Sequence, residues 1–101
     1  MSPIHTSDPI KIVEKEELAG MRFSPEDVLT DPVQRQRRRH DAERAVTLGN
    51  AYHGKLDIYF QNIDGEPKRV ATTVWAADSA FLSLKSGASL PVRAVLGFDF
   101  Y

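Results

Sequence analysis

The sequence predicts an α+β domain that is mainly β, in which an N-terminal helix precedes a five-stranded antiparallel small barrel. Three observations support this. Helix-initiating residues precede an arginine-rich segment, the hydrophobic period changes to two at residue 54, and turn residues then recur at short intervals up to residue 101. Five short strands do not make a stable flat sheet with one face bare to water, so we expect the sheet to curl.

The composition is typical of one domain: the chain has 101 residues, of which 42% are hydrophobic and 27% charged. We expect residues 1–23 to form a partly mobile arm and residues 24–101 to form a single helix-plus-barrel domain. Within the arm, residues 9–13 favour an edge strand and residues 14–20 one helical turn. The N-terminus has no export signal, and no segment approaches the roughly 20 apolar residues of a membrane span. We therefore expect neither export nor membrane insertion.

Cysteine is absent from the chain. Disulfides, thiolate metal sites and cysteine nucleophiles are thereby excluded, and a reducing compartment is indicated. The cytoplasm is the predicted location.

Charge is unevenly distributed along the chain. Seven acidic and three basic side chains give residues 1–31 a net charge of −4, whereas residues 32–101 carry +3. An acidic arm beside a basic body can pack on that body, bind a partner or be solvated, and the sequence leaves these alternatives open.

Helix-start signals occur twice before the arginine-rich segment. Residues 24–27, Ser-Pro-Glu-Asp, favour a short helix, because serine caps a helix and proline fits its first turn. Asp31 and Pro32 repeat this pattern. We expect the main helix at about residues 32–48, with Gly49 and the asparagine after it supplying a left-handed stop.

The two halves of the predicted helix differ in character. Its C-terminal half has an apolar stripe of Ala42, Ala45, Val46 and Leu48, and is expected to dock on the sheet. Its N-terminal half is polar all round and is expected to project as a cationic rod. The arginines that could neutralise phosphates there are Arg35, Arg37, Arg38 and Arg39.

The first hairpin sets the register of the sheet. A three-residue loop at residues 63–65, with Gly65 in the left-handed region, places Ile58 opposite Val70. In this register Leu56 also lies opposite a threonine, Thr72, on the core face.

The same register decides where the largest aromatic residues lie. It puts Tyr59, Thr73 and Trp75 on the outer face, where the two aromatic residues could stack on bases or anchor a protein contact. A two-residue turn at residues 64–65 would instead bury Trp75. We favour the first register, because the second would turn Arg69 inward and Val70 outward.

Residues 84–95 contain a strand, a glycine turn, a strand with proline and one 3₁₀ turn before a final strand. This order resembles the last strands of Sm-like and SH3-like small barrels, and residues 72–76 resemble segments of short bacterial proteins of this shape. The resemblance implies a non-catalytic module that binds RNA or protein, sometimes as a ring. The Sm RNA-loop pattern and the lysine-histidine pair of bacterial Sm-like RNA chaperones are missing, so RNA binding is carried over to no residue.

Motifs for catalysis or metal binding are not found in the sequence. His5, His40 and His53 have no metal-ligand spacing, the glycines form no phosphate loop, and no serine has a histidine and carboxylate context. We expect no catalytic residue, cofactor or metal.

Two hypotheses for function remain. A protein-interaction or self-assembly module, acting through Tyr59, Trp75 and the edge of the terminal strand, is the favoured one. The alternative is RNA or single-stranded nucleic-acid binding through the arginine-rich helix.

Overall fold

The computed structural model describes residues 10–100. Residues 1–9, in the predicted arm, and Tyr101 lie outside this range. The described chain is α+β and mainly β, as predicted. One α-helix, α1, spans Pro32–Tyr52, and short 3₁₀ helices span Lys15–Gly20, Lys85–Gly87 and Val92–Ala94. The strands are β1 (Lys11–Ile12), β2 (Leu56–Gln61), β3 (Pro67–Thr72), β4 (Val74–Ala77), β5 (Phe81–Leu84), β6 (Ser89–Pro91) and β7 (Val95–Phe100).

The strands form two sheets and not one. The four-stranded sheet has the order β1-β3-β2-β7, and the three-stranded sheet has the order β4-β5-β6. The predicted five-stranded barrel is not confirmed, since the described residues contain no closed barrel. The sequence after the first hairpin predicts one strand from residue 68 to about residue 77. The structure interrupts it at Thr73, whose carbonyl oxygen accepts a hydrogen bond from the Lys85 N–H at 3.0 Å. The interruption passes the chain from the first sheet to the second.

The predicted register of the first hairpin is confirmed. Ile58 lies opposite Val70 and Leu56 opposite Thr72. Gly65 has a φ of 81°, in the left-handed region, and its N–H donates to the Asn62 carbonyl oxygen at 3.0 Å. The three-residue loop therefore fixes which side chains of β2 and β3 face the core.

A lysine extends the core face of β3 and is buried at its end. Lys68 lies opposite Phe60, and its Nζ donates to both Asp64 carboxylate oxygens at 2.9 and 2.7 Å. The Asn62 side-chain oxygen accepts a further bond at 3.1 Å. These bonds satisfy a buried ammonium with carboxylate and amide oxygens from the hairpin loop, so the loop and β3 stabilise each other.

The last strand contains an irregularity that changes its predicted core face. Phe60 lies opposite Val95, whereas Tyr59 lies opposite Gly97, so Leu96 is the extra residue. Val95 is consequently fully buried and Leu96 only partly so. The sequence of residues 96–100 alternates and predicts that Leu96, Phe98 and Phe100 share one face. This alternation holds only beyond the irregularity.

The start of α1 is as predicted, because the Asp31 carboxylate accepts a hydrogen bond from the Val33 N–H at 2.9 Å and Pro32 is the first helical residue. The predicted stop at Gly49 is wrong. Gly49 is buried inside the helix, where a Cβ atom would lie 2.1 Å from the Val74 carbonyl oxygen. The glycine is needed for the close approach of α1 to β4, and the left-handed residue is His53, with a φ of 52°.

The short helix predicted at residues 24–27 is also absent; this segment consists of bends and irregular backbone. Long-range hydrogen bonds compete with the local preference. The Ser24 carbonyl oxygen accepts from Arg93 Nε at 2.6 Å, and the Val28 N–H donates to the Arg93 carbonyl oxygen at 2.9 Å. Tertiary contacts thus override a helix signal that is only one turn long.

The segment that precedes residue 24 contributes to the core. β1 pairs with the edge of β3 in parallel, which confirms the predicted edge strand, and the predicted helical turn is the 3₁₀ helix Lys15–Gly20. Val13 and Leu18 are buried in the hydrophobic cluster. The division into an arm of residues 1–23 and a domain of residues 24–101 stays a prediction.

Replacing Gly49 with alanine is expected to lower the free energy of unfolding by about 2 kcal/mol or more, because the added methyl group meets backbone that cannot rotate away. The gain in helix propensity, about 1 kcal/mol, is smaller. Asn50→Ala, at the exposed next position of α1, is the control and should be neutral or stabilising. Urea denaturation measures both, and equal stability of the two variants would contradict the close contact.

Candidate functional site

Arg38, one of the four arginines predicted to form a binding surface, is buried with only 7% of its surface exposed. Its two terminal nitrogens donate to the Asp27 carboxylate at 2.8 and 2.6 Å, and Nη1 also donates to the Val95 carbonyl oxygen at 3.0 Å. The guanidinium therefore joins α1, the segment before it and the start of β7. The N-terminal half of α1 is docked, and the predicted free cationic rod is wrong.

The other three arginines differ in what they contact. Arg35 Nε donates to the Leu29 carbonyl oxygen at 2.7 Å and lies 3.6 Å from the Asp27 carboxylate. Arg37 and Arg39 are exposed and form no ion pair with a residue in the range 10–100. Whether these two exposed arginines bind anything stays a prediction.

Asp27 is the centre of this arginine network. Burial by itself raises the pKa of this carboxyl group. Hydrogen bonds from Arg38 and from the Leu29 N–H, together with the positive charges of Arg38 and Arg35, lower the pKa by more than burial raises it. The resulting pKa lies below the ordinary value of 3.8. Folding therefore favours the ionised carboxylate, which contributes stability above the unfolded pKa that is lost as the pH falls through the folded pKa.

Trp75 and Tyr59 were predicted to share an outer face, and the structure places them in different sheets. Trp75, in β4, is 47% exposed, as predicted, whereas Thr73, predicted for the same face, is buried at the break between β3 and β4. The pairing of β4 with β5 is irregular at Trp75, so the first hairpin does not set its direction. Tyr59, in β2, is half-buried between Arg69 and Gly97 of the neighbouring strands. The described residues show no ring contact between the two aromatics, so Trp75 belongs to a different surface from Tyr59.

The neighbours of Trp75 are the outward-facing residues of the three-stranded sheet. Ala76 lies opposite Ser83, which lies opposite Ser89, and Phe81 occupies the same side of β5. All are exposed and none is charged. We call this surface the Trp75 face; it consists of Trp75, Ala76, Phe81, Ser83 and Ser89.

Phe81 is the second large side chain of this surface, and it was not among the residues predicted to form a binding surface. It is 45% exposed. The signal was present in the alternation Phe81-Leu82-Ser83-Leu84, because the two leucines must share the core face and Phe81 must share the other face with a serine.

The remaining large exposed apolar side chains are scattered. Ile12, Val33, Tyr52 and Ile63 lie in β1, at the two ends of α1 and in the first hairpin loop. Trp75 and Phe81 are the two, among the described residues, that lie on adjacent paired strands. The two rings lie toward opposite ends of this sheet face, and the described residues show no ring contact between them. Two exposed aromatics on one face are still more informative than single ones.

A second surface feature is an open groove of about 530 Å³ between α1 and the end of β7. Its lining comprises His40, Glu43, Arg44, Thr47, Leu48, Tyr52 and Phe100. Arg44 lies with its guanidinium carbon 4.2 Å from the centre of the Phe100 ring and 3.3 Å from the Asp41 carboxylate. The cation of the groove is thus already engaged with this chain's own side chains.

Residues 10–100 contain no cluster of three or more histidine, cysteine, aspartate or glutamate side chains that could hold a metal ion. Within the same range, no helix has the length and apolar character needed to cross a membrane.

Comparisons with protein-family models, curated proteins and solved structures find no match for the chain. Function must therefore be inferred from the surfaces themselves.

Asp27→Asn is expected to lower the free energy of unfolding by about 2 kcal/mol or more at neutral pH, because Arg38 stays buried without its counter-charge. Asp41→Asn, which removes the carboxylate beside Arg44, is the matched control and should cost about 0.5 kcal/mol or less. The difference between wild type and Asp27→Asn should shrink as the pH falls below about 4, since protonation also neutralises the wild-type carboxylate. Urea titrations at several pH values measure this, and a difference independent of pH would contradict the role of the charge.

Proposed function

We propose that this protein is a non-catalytic protein-interaction or self-assembly module, and that the Trp75 face is its docking surface. The observation that carries the proposal is that two adjacent strands each carry one half-exposed aromatic residue and no charged outward-facing residue. Aromatic residues are enriched at the centres of protein interfaces, and charged residues are depleted there.

The composition of this part of the chain supports the proposal. Between Val70 and Leu84 the single charged residue is Asp78, in a chain that is 27% charged. Small side chains surround Trp75 and Phe81, so a partner can approach the sheet closely. A surface kept free of lysine and glutamate is costly for solubility unless it is covered.

We propose that the two sheets are an open variant of the Sm-like or SH3-like small barrel, in which β3 and β4 are one interrupted strand. The strand order, the break at Thr73 and the 3₁₀ helix Val92–Ala94 before β7 support this. A cytoplasmic location, suggested by the absence of cysteine, belongs to the same proposal.

The proposed docking surface is tested by placing the photoreactive amino acid benzoylphenylalanine at position 75 in cells that express the protein. We expect a cross-linked product, to this protein or to another one, because the aromatic probe keeps the shape of the tryptophan contact. Position 63, which is also an exposed apolar site but lies in the first hairpin loop, is the control and should give none. Equal or absent cross-linking at both positions would overturn the proposal.

Binding of single-stranded nucleic acid is a second candidate function, supported by the exposure of Arg37 and Arg39 on α1. If it operates, the Arg37→Ala, Arg39→Ala double variant should weaken binding of labelled single-stranded RNA at low salt. The slope of log affinity against log salt should then fall by about 1.4, because each lost phosphate contact removes about 0.7.

Arg38 must stay unchanged in this experiment, since it is buried. An Asn50→Ala variant, which alters α1 without removing a charge, is the control. Absent RNA binding, or an unchanged salt slope in the double variant, would exclude this second function.

A further inference from the structure

We propose that the partner of the Trp75 face is a second copy of this chain, so that two three-stranded sheets stack face to face about a two-fold axis. This inference rests on the proposed function, because it names the occupant of the same docking surface. It is carried by the distribution of charge on and around the three-stranded sheet.

The absence of charge makes the Trp75 face compatible with itself. In a two-fold symmetric dimer the same patch contributes to both sides, so charged residues near the axis approach their own copies. The exposed surface of α1 carries Arg37, Arg39 and Glu43, so a dimer built on this surface would bring like charges near the axis. The Trp75 face carries no charge and can meet itself without repulsion.

Two charges lie just beyond the ends of β5, and they select one orientation of the dimer. Asp78 precedes the strand and Lys85 follows it, and both are exposed. With the two-fold axis lying between the sheets and perpendicular to the strands, the two copies of β5 run antiparallel. Asp78 of one copy then lies at the end occupied by Lys85 of the other. An axis along the strands would bring like charges together.

The charge on Asp78 is held in place by its turn. Its carboxylate accepts hydrogen bonds from the Phe81 N–H at 2.8 Å and the Ala80 N–H at 2.7 Å. These two bonds lower the pKa of the Asp78 carboxyl group below its ordinary value of 3.8. The acidic end of the sheet is therefore charged at neutral pH.

The same orientation brings the aromatic residues of the two copies together. Val74 lies opposite Leu84, so Trp75 is near the Lys85 end of the sheet, whereas Phe81 is at the Asp78 end. Antiparallel stacking moves Trp75 of one copy to the end that holds Phe81 of the other. Small residues, Ala76 and Ser83, occupy the middle and permit the spacing of about 10 Å that packed sheets adopt.

Analytical ultracentrifugation of the full chain over a range of concentrations tests the inference. We expect a monomer–dimer equilibrium, and both Trp75→Ala and Phe81→Ser should raise the dimer Kd by a factor of roughly 10 or more. Ile63→Ser removes an exposed apolar side chain from the first hairpin loop and should leave the dimer Kd unchanged. Circular dichroism and thermal unfolding of each variant show that the fold is retained.

The orientation of the dimer is tested by reversing one charge. Lys85→Glu should weaken the dimer, since two acidic groups then face each other at each end. Adding Asp78→Asn should restore much of the affinity, because the asparagine side-chain oxygen still accepts the turn hydrogen bonds while the repulsion is removed.

The outcomes distinguish a failure of the dimer from a failure of the Trp75 face as a docking surface. A wild-type protein that is monomeric at every concentration, or a dimer whose Kd is unchanged in both aromatic variants, overturns the second copy as partner. If position 75 nevertheless cross-links to a different protein, the docking surface stands with another occupant. If position 75 cross-links to nothing, the docking surface itself is overturned.

Discussion

The buried guanidinium of Arg38 is the interaction on which the arrangement of helix and sheet depends. It binds the Asp27 carboxylate in the segment before the helix and the Val95 carbonyl oxygen at the start of the last strand. A buried cation is tolerated only when it is paired and hydrogen-bonded, so these three segments have to meet at one point. Arg38 Nε is buried without an acceptor among the described residues. The hydrogen bonds of the two terminal nitrogens therefore offset the cost of burying the charge.

This interaction divides the arginines of α1 into two groups with different roles. The buried side of the helix consists of Arg38, Ala42, Ala45 and Gly49, spaced three or four residues apart as one helical face requires. Small residues bring the helix axis near β4, and the long arginine reaches the sheet at the other end. The exposed Arg37 and Arg39 lie outside this face. A nucleic-acid surface on α1 thus has fewer cations than the number of arginines indicates.

The close packing of α1 on β4 also bears on the proposed docking surface. Gly49 brings the helix against Val74, which is buried on the inner side of the three-stranded sheet together with Leu82, Leu84 and Leu90. The outer side of this sheet carries Trp75 and Phe81. A sheet of three short strands with one bare apolar face is of limited stability by itself. Covering that face with another protein surface removes apolar area from water, which is why we relate the Trp75 face to assembly and not to chemistry.

Local patterns in the sequence determined most of the secondary structure, the start of α1 at Asp31 and Pro32, and the register of the first hairpin. Each depends on neighbours within a few residues: a cap, a proline, a glycine in the left-handed region and an alternation with period two. Trp75 lies outside the core as predicted, but the alternation behind that prediction is broken at Thr73, which is buried.

Only the tertiary structure decided that Arg38 is buried, that Gly49 lies inside the helix, and that Val95 and not Leu96 fills the core. It also decided that the strand is interrupted at Thr73 and that Phe81 and Trp75 share one exposed face of the second sheet. These outcomes depend on groups that are distant in the chain, such as the Arg38 guanidinium and the Val95 carbonyl oxygen, whose contact energies exceed the local preferences that the sequence displays.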